Sequence, residues 1–398
     1  MSHARRKRAA AIASLAGVLG AVGAGGLVAA PAASAASPPI SVSSFNVSFS
    51  VMSSLRPLTA KGKGLVAAIL PDTTTSARYT EFDAPYLTKA MELAGLPKSD
   101  IVVQNAQGSD ATELTDAQED IAKGASVLIM DPLDSGVGAA IEKYAKAHGV
   151  PVIDYDRLTL GGSRNYYVSF NNVQVGRLLG QGLVSCIAAW HVKHPNVLVM
   201  KGAPTDNNAT LFAEGYMSVL EPYFKSHKYT LVGIPAGTWD PPTAETEFQQ
   251  EYTAHKNMNA ALTPNDENAA PIITYLKTLH IPPRTFPLTG QDATLVGLQN
   301  VLSGYQCGTV YKPIYLEAEA AVALAIYLRA GVKPPSTLVN GTVEDTVEHV
   351  AVPSVLLKPE WVTPANMAAT VIKDKFVPAS QLCAGALAKA CLAVGIKP

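Results

Sequence analysis

Gly64-Leu-Val-Ala-Ala-Ile-Leu-Pro71 is an apolar run of strand length, closed by a proline. A run that is apolar at every position reads as a strand buried on both faces, the habit of parallel sheets. Residues 82–94 then carry helical spacing and stop at Gly95 and Pro97. The theme repeats: strand 101–104, helix 111–123, strand 127–130, helix 138–148, then strands 152–155 and 166–170. Strands alternating with helices predict βαβ units, hence a parallel sheet with helices on both faces.

A second series follows without repeating the first residue by residue. It reads as helix 173–191, strand 196–200, helix 210–224, strand 229–233, helix 243–258, strand 259–262 and helix 270–279. Leu288-Thr-Gly-Gln-Asp292 then reads as a short strand, Leu295, Leu298 and Leu302 as one helix face, and Thr309-Val-Tyr-Lys312 as a strand ended by Pro313. A long helix covers 316–329. The predicted fold class is α/β: two Rossmann-like lobes with parallel-rich sheets flanked by helices, set around a central cleft.

Composition bounds the reading. The 398 residues are 48% hydrophobic and 16% charged, with a formal net charge of -1. Length points to two domains, and the charge balance gives no support for nucleic acid. Arg5-Arg6-Lys7-Arg8, an apolar Ala/Gly-rich stretch over 9–30 and Ala33-Ser34-Ala35 have the layout of a signal peptide over 1–35. No Cys lies near that cleavage site, so the expected product is exported and not lipidated, periplasmic or at the cell surface. Residues 36–63, rich in Ser and Pro, are expected to form an extended leader.

The four cysteines, Cys186, Cys307, Cys383 and Cys391, all follow that segment. An even number suits an oxidising compartment. Three connectivities are open. Local closure favours Cys383–Cys391, clipping a small C-terminal extension over 381–398, which leaves Cys186–Cys307.

The chemistry is at the predicted strand ends, where ligands bind in open α/β sheets. Arg78 and Tyr79 follow the first strand; Asp156 and Arg157 follow another. Asp206, Asn208, Trp239, Asn265 and Asp292 follow strands of the second series, and Lys312 ends the last. Such groups suit a polyhydroxylated ligand. A hydroxyl donates and accepts, a carboxylate accepts from two hydroxyls, a guanidinium donates to two, and an amide does both. Tyr79 and Trp239 suit the apolar face of a sugar ring. Each residue also has a plainer reading: Asp206, Asn265 and Asp292 as helix N-caps, Asp156–Arg157 as an ion pair, Trp239 as core.

No dinucleotide fingerprint, P-loop, H-E-x-x-H or G-x-S-x-G occurs, so neither a cofactor nor a metal is expected. Three carboxylates, Asp156, Asp206 and Asp292, keep a glycoside hydrolase as an alternative to a non-enzymatic binder.

Several runs together resemble the type I periplasmic sugar-binding proteins of ABC transporters, the D-xylose-binding branch most of all. They include Ser76-Ala-Arg78-Tyr79, Tyr155-Asp156-Arg157, Pro204-Thr-Asp206-Asn207-Asn208-Ala209, Gly290-Gln291-Asp292-Ala293, Val310-Tyr311-Lys312-Pro313 and Val371-Ile-Lys-Asp374. The resemblance spans about residues 64–377. It implies a hinged fold of periplasmic binding protein type I, with a first lobe over 64–170 and 312–354 and a second over 171–311 and 355–380. Crossings between lobes fall near Phe170, Tyr311 and Val355. It implies a monosaccharide ligand, D-xylose or a related sugar, held by Arg78, Asp156 and Arg157 from the first lobe. Asp206, Asn208, Asn265 and Asp292 act from the second, Lys312 at the boundary, and Tyr79 and Trp239 on the ring. It implies a membrane permease as partner and a monomeric protein that serves transport or, alternatively, sugar signalling. Two positions depart from the branch: Tyr79 stands where Trp is usual and Asn171 where Asp is typical.

Overall fold

A computed structural model describes residues 40–397; the signal-peptide reading lies outside the described residues. The apolar runs form the centre of a seven-stranded sheet. Chain order in the first half is β1 (Leu65–Leu70), α2 (Ala84–Leu93), β2 (Ile101–Asn105), α3 (Asp110–Ala122), β3 (Ala125–Met130), α4 (Ser135–Ala147), β4 (Val152–Tyr155) and β5 (Tyr166–Phe170). A short helix, α1 (Arg56–Thr59), precedes them. The five strands pair in parallel, with β1 between β2 and β3, as two-sided burial requires.

At Phe170 the chain leaves this sheet. It forms α5 (Asn172–Ala189), β6 (Asn196–Val199), α6 (Asn207–Lys225), β7 (Thr230–Gly233), α7 (Pro241–Ala254), β8 (Ala260–Leu262), α8 (Asp266–Thr278), α9 (Leu295–Ser303) and β9 (Thr309–Tyr311). β6 lies between β7 and β8 in a parallel three-stranded sheet. The strand expected at 288–292 is reduced to two isolated bridges, Ala261–Leu288 and Gln291–Val310. Side chains break the ladder there: the Thr263 amide donates to Thr289 Oγ1 at 2.9 Å, and each threonine hydroxyl bonds the other's carbonyl.

After β9 the chain returns to the first lobe as α10 (Ile314–Arg329). This helix is apolar on nearly every side and is buried accordingly. A hairpin of β10 (Gly341–Asp345) and β11 (Val350–Leu357), which the sequence reading lacks, completes the first sheet, β11 pairing in parallel with β5. Pro353 within β11 hides that strand from a propensity reading.

The third crossing needs correcting. Leu357 still pairs with Phe170, whereas β12 (Glu360–Val362) pairs with β9. The chain therefore changes lobes between Leu357 and Glu360, not at Val355, because the ladder holds Val355 inside the first sheet. The second crossing is pinned by the hydroxyls of Tyr311 and Tyr315, which both donate to Asp374. Two short helices, α11 (Ala379–Leu382) and α12 (Ala388–Ala393), end the description and are joined by Cys383–Cys391. Cys186 on α5 is joined to Cys307 just before β9.

The extended leader is also corrected. Residues 42–44 and 50–55 form 3-10 turns that run into α1. Phe45, Phe49, Met52 and Leu55, spaced four, three and three apart, put one apolar face into the core shared with α2 and α10. Arg329 of α10 donates to the carbonyls of Thr59 and Gly64 and pairs with Asp100 at 2.7 Å. Glu319 of α10 accepts the Asn46 amide at 2.7 Å.

Burial pushes the Glu319 carboxyl up to about 8, and those of Glu113 and Glu317 likewise to about 8. A carboxyl raised in the folded state holds its proton after the unfolded chain has lost it, so its contribution falls as pH rises from about 4.5 through about 8. Thermal unfolding midpoints are expected to fall over that interval, and Glu319→Gln to flatten the slope by about one proton. A calorimetric series against pH checks this; an unchanged slope in the variant refutes it.

Candidate functional site

The ends of β1, β4, β6, β8 and β9 face one another across the cleft, so the residues after them converge. All ten residues singled out from the sequence line a single pocket between the lobes, together with Thr75, Ser76, Phe212 and Gln291.

Local structure places each group. Arg78 and Tyr79 sit where the chain enters a wide π turn, Tyr79–Asp83, ahead of α2; such turns recur at functional sites. Asp156 has φ of 56° and Asp292 φ of 89°, the left-handed region that Asp and Asn tolerate best. The strain at Asp156 is held by three donors on its carbonyl: Asn208 Nδ2 at 2.9 Å, and the Tyr167 and Ser169 hydroxyls at 2.8 Å each. Asp292 is anchored by its amide, which donates to the Val310 carbonyl at 2.9 Å.

Two of the three residues read as N-caps do cap helices and also turn a polar atom toward the cleft. Asp206 caps α6 with Oδ1, accepting the Asn208 amide at 2.8 Å, and turns Oδ2 to Trp239 Nε1 at 3.0 Å and Arg157 Nε at 3.4 Å. Asn265 caps α8 with Oδ1, and its Nδ2 donates to the Thr75 carbonyl at 3.2 Å. Asp292 caps nothing; Thr294 caps α9 instead. Trp239 lies against Gly202, where any Cβ would meet its ring, and has Phe212 edge-on at 6.4 Å.

The charges are interlocked. Arg78 forks onto both oxygens of Asp83 at 2.8 Å, reaches Asp156 at 2.7 Å and touches Glu317 at 2.6 Å. Lys312 is 3.1 Å from Asp292 and 3.7 Å from Asp156. Arg157 donates to the Tyr79 hydroxyl at 2.9 Å, and the guanidiniums of Arg78 and Arg157 both lie 5.7 Å from the Tyr79 ring centre. Burial pushes the Asp156 carboxyl up, but Arg78, Lys312 and Arg157 outweigh it and hold the group below the usual range. At Asp206 burial prevails over Arg157, and the carboxyl is raised.

The lobes are closed on each other. Besides Asp206–Arg157 and Asn208–Asp156, the Ser76 hydroxyl donates to Asp292 at 3.1 Å and the Ala77 amide to Glu267 at 2.9 Å. Residues 67–333 match the family model described as periplasmic binding protein domain. The chain belongs to that family. Within it, this periplasmic binding protein is 35% identical over 285 residues to the D-xylose-binding periplasmic protein of Escherichia coli, covering 71% of this chain and 83% of the relative. It is 32% identical over 340 residues to a multiple sugar-binding periplasmic protein of Azospirillum brasilense, covering 82% and 93%. Its fold matches the crystal structure of a carbohydrate transporter solute binding protein from Chloroflexus aurantiacus in complex with D-glucose. There the TM-score is 0.71 and the identity 28%, with 80% and 98% of the two chains covered. The type I fold read from the sequence is thus the fold of this periplasmic binding protein.

Sequence reasoning missed the groups behind the cavity wall. Asp83 and Glu317 hold Arg78, and Asp131 stands 3.7 Å from Arg157 with neither carboxylate oxygen hydrogen-bonded. Glu317 left a signal: an acid inside an otherwise apolar helix needs a buried partner. Asp131 left the same signal as the residues singled out, a carboxylate directly after the 127–130 strand, and was passed over. Gln291 was in view within Gly290-Gln291-Asp292 but was not singled out.

Proposed function

We propose that this periplasmic binding protein captures a neutral monosaccharide, D-xylose or a closely related sugar, by closing its lobes around it, and delivers it to the membrane permease of an ABC transporter. The observation that carries the reading is the cavity wall. Carboxylates, amides and cations alternate around a small closed space with two aromatic rings, the donor and acceptor set that adjacent hydroxyls need. Arg78, Asp156 and Arg157 act from the first lobe, Asp206, Asn208, Asn265 and Asp292 from the second. Lys312 reports to both, since it meets a carboxylate from each. Tyr79 and Trp239 flank the ring.

The charge balance narrows the ligand. Arg78, Arg157 and Lys312 each face carboxylates of the wall. None is left over for a phosphate or a uronate, so the reading favours an uncharged sugar. The relatives support the same class: the E. coli protein is named for D-xylose and the Azospirillum protein for multiple sugars. Among the described residues no helix is long and apolar enough to cross a membrane, in keeping with a protein that meets its permease from outside the bilayer. Export by the N-terminal signal and a monomeric state belong to the same proposal.

Isothermal titration of the protein with D-xylose, other pentoses, hexoses, a uronic acid and a sugar phosphate tests it. Heat is expected with one or a few neutral sugars and none with the charged ones. Silence across the neutral panel, or turnover of a glycoside, sinks the reading.

A further inference from the structure

Three consecutive residues of the first lobe are held by the second. The Thr75 carbonyl accepts from Asn265, the Ser76 hydroxyl donates to Asp292 and the Ala77 amide donates to Glu267 Oε1. Asn265 and Asp292 line the cavity; Glu267 does not. Its partner is distinctive. The Ala77 carbonyl accepts the Glu81 amide at 3.0 Å, so the helical ladder that carries Arg78 and Tyr79 begins there. The Ala77 N–H is one of the amides that a helix start leaves without an internal acceptor. Within the first lobe the start has only a long contact, the Arg78 amide donating to Ser76 Oγ at 3.5 Å. Glu267 sits in the first turn of α8 and takes the Asn265 side-chain amide on Oε2 at 3.3 Å.

We infer that Glu267 is a positioning residue for sugar retention: across the cleft it caps the helix start that bears Arg78, a contact made only when the lobes are closed, and it braces Asn265 on its own lobe. The inference rests on the sugar-capture reading above. The bond is lost as soon as the lobes part, so its effect is on how long the closed form lasts. Burial, with Asp292 and Asp266 adding to it, holds the Glu267 carboxyl well above the ordinary range. A neutral acceptor therefore does the same work, and glutamine is the conservative replacement.

Stopped-flow release of the sugar identified by titration, followed through Trp239 fluorescence, tests this. Glu267→Ala is expected to speed dissociation about three- to tenfold with association unchanged, the effect of losing one cap; Glu267→Gln is expected to stay within about twofold. Equal dissociation rates in wild type and Glu267→Ala overturn the inference. So does a Glu267→Gln as fast as the alanine variant, or a sugar-free Glu267→Ala with a lowered melting midpoint, which marks a role inside one lobe. A wild type that binds no sugar defeats the sugar reading instead. Small-angle scattering of the sugar-free proteins is expected to give equal radii of gyration in wild type and Glu267→Ala, since the contact is absent from the open form; a larger radius in Glu267→Ala shows the contact is made without sugar and overturns the inference.

Discussion

Asp292→Asn is expected to weaken sugar binding about a hundredfold or more while leaving the fold intact. Asp292 lies at the bottom of the second-lobe wall, 3.1 Å from Lys312 and in reach of Ser76. Asparagine keeps its shape and tolerates φ of 89° as aspartate does. What it removes is the charge. The variant's amide faces the ammonium of Lys312, which is then left short of a counter-ion in a site where burial makes that costly. The accepting oxygens that two sugar hydroxyls need fall to one. Titration calorimetry measures the loss, and circular dichroism with a melting curve shows the intact fold. Unchanged affinity removes Asp292 from the binding set; a collapsed melting curve reassigns it to stability.

Arg78→Ala is expected to behave differently, destabilising the protein by about 3–5 kcal/mol as well as abolishing binding. Three carboxylates meet this guanidinium at 2.6–2.8 Å, and Arg78 is 1% exposed. Without it Asp83 and Glu317 lose the cation they contact, and Asp156 keeps only Lys312 at 3.7 Å and the more distant Arg157. Lysine is not expected to rescue, because a point charge cannot fork onto three partners. Adding Glu317→Gln to Arg78→Ala is expected to recover part of the loss, since one stranded charge disappears. The Glu317 carboxyl, pushed up to about 8 by burial with Arg78 pulling it the other way, offers a second check. Without Arg78 the carboxyl is held higher still, so the Arg78→Ala penalty shrinks as pH falls toward about 8 from above, where Glu317 gains a proton in the variant first. Urea unfolding at several pH values reads both effects. A variant as stable as wild type refutes the prediction.

The pocket has residues that face it and residues behind that hold those in place, and the sequence exposed the first kind better than the second. Asp156, Asp206, Asn265 and Asp292 stand at strand ends, where local pattern alone reveals them. Asp83 and Glu317 are within helical segments, and only tertiary packing brings them to Arg78. The fold shows the same division. The βαβ alternation was plain in runs such as 65–70 and 127–130, because two-sided burial leaves no polar residue in them. The leader misled because Phe45, Phe49, Met52 and Leu55 are thinly spread among serines, and their partner α10 lies more than two hundred residues away. The 288–292 strand failed because threonine hydroxyls replace ladder bonds there, which no propensity scale registers.

The leader and α10 also set the order in which the chain is able to finish. Asn46 and Glu319 are 273 residues apart, and β5 waits for β11 to cover its flank. As the polypeptide emerges from the ribosome, most of the second lobe is available before the first can be closed, and residues 45–55 meet α2 early but α10 only when about the last eighty residues remain. Contacts of such long range are the slow ones to form. The first lobe therefore completes only when synthesis is almost over.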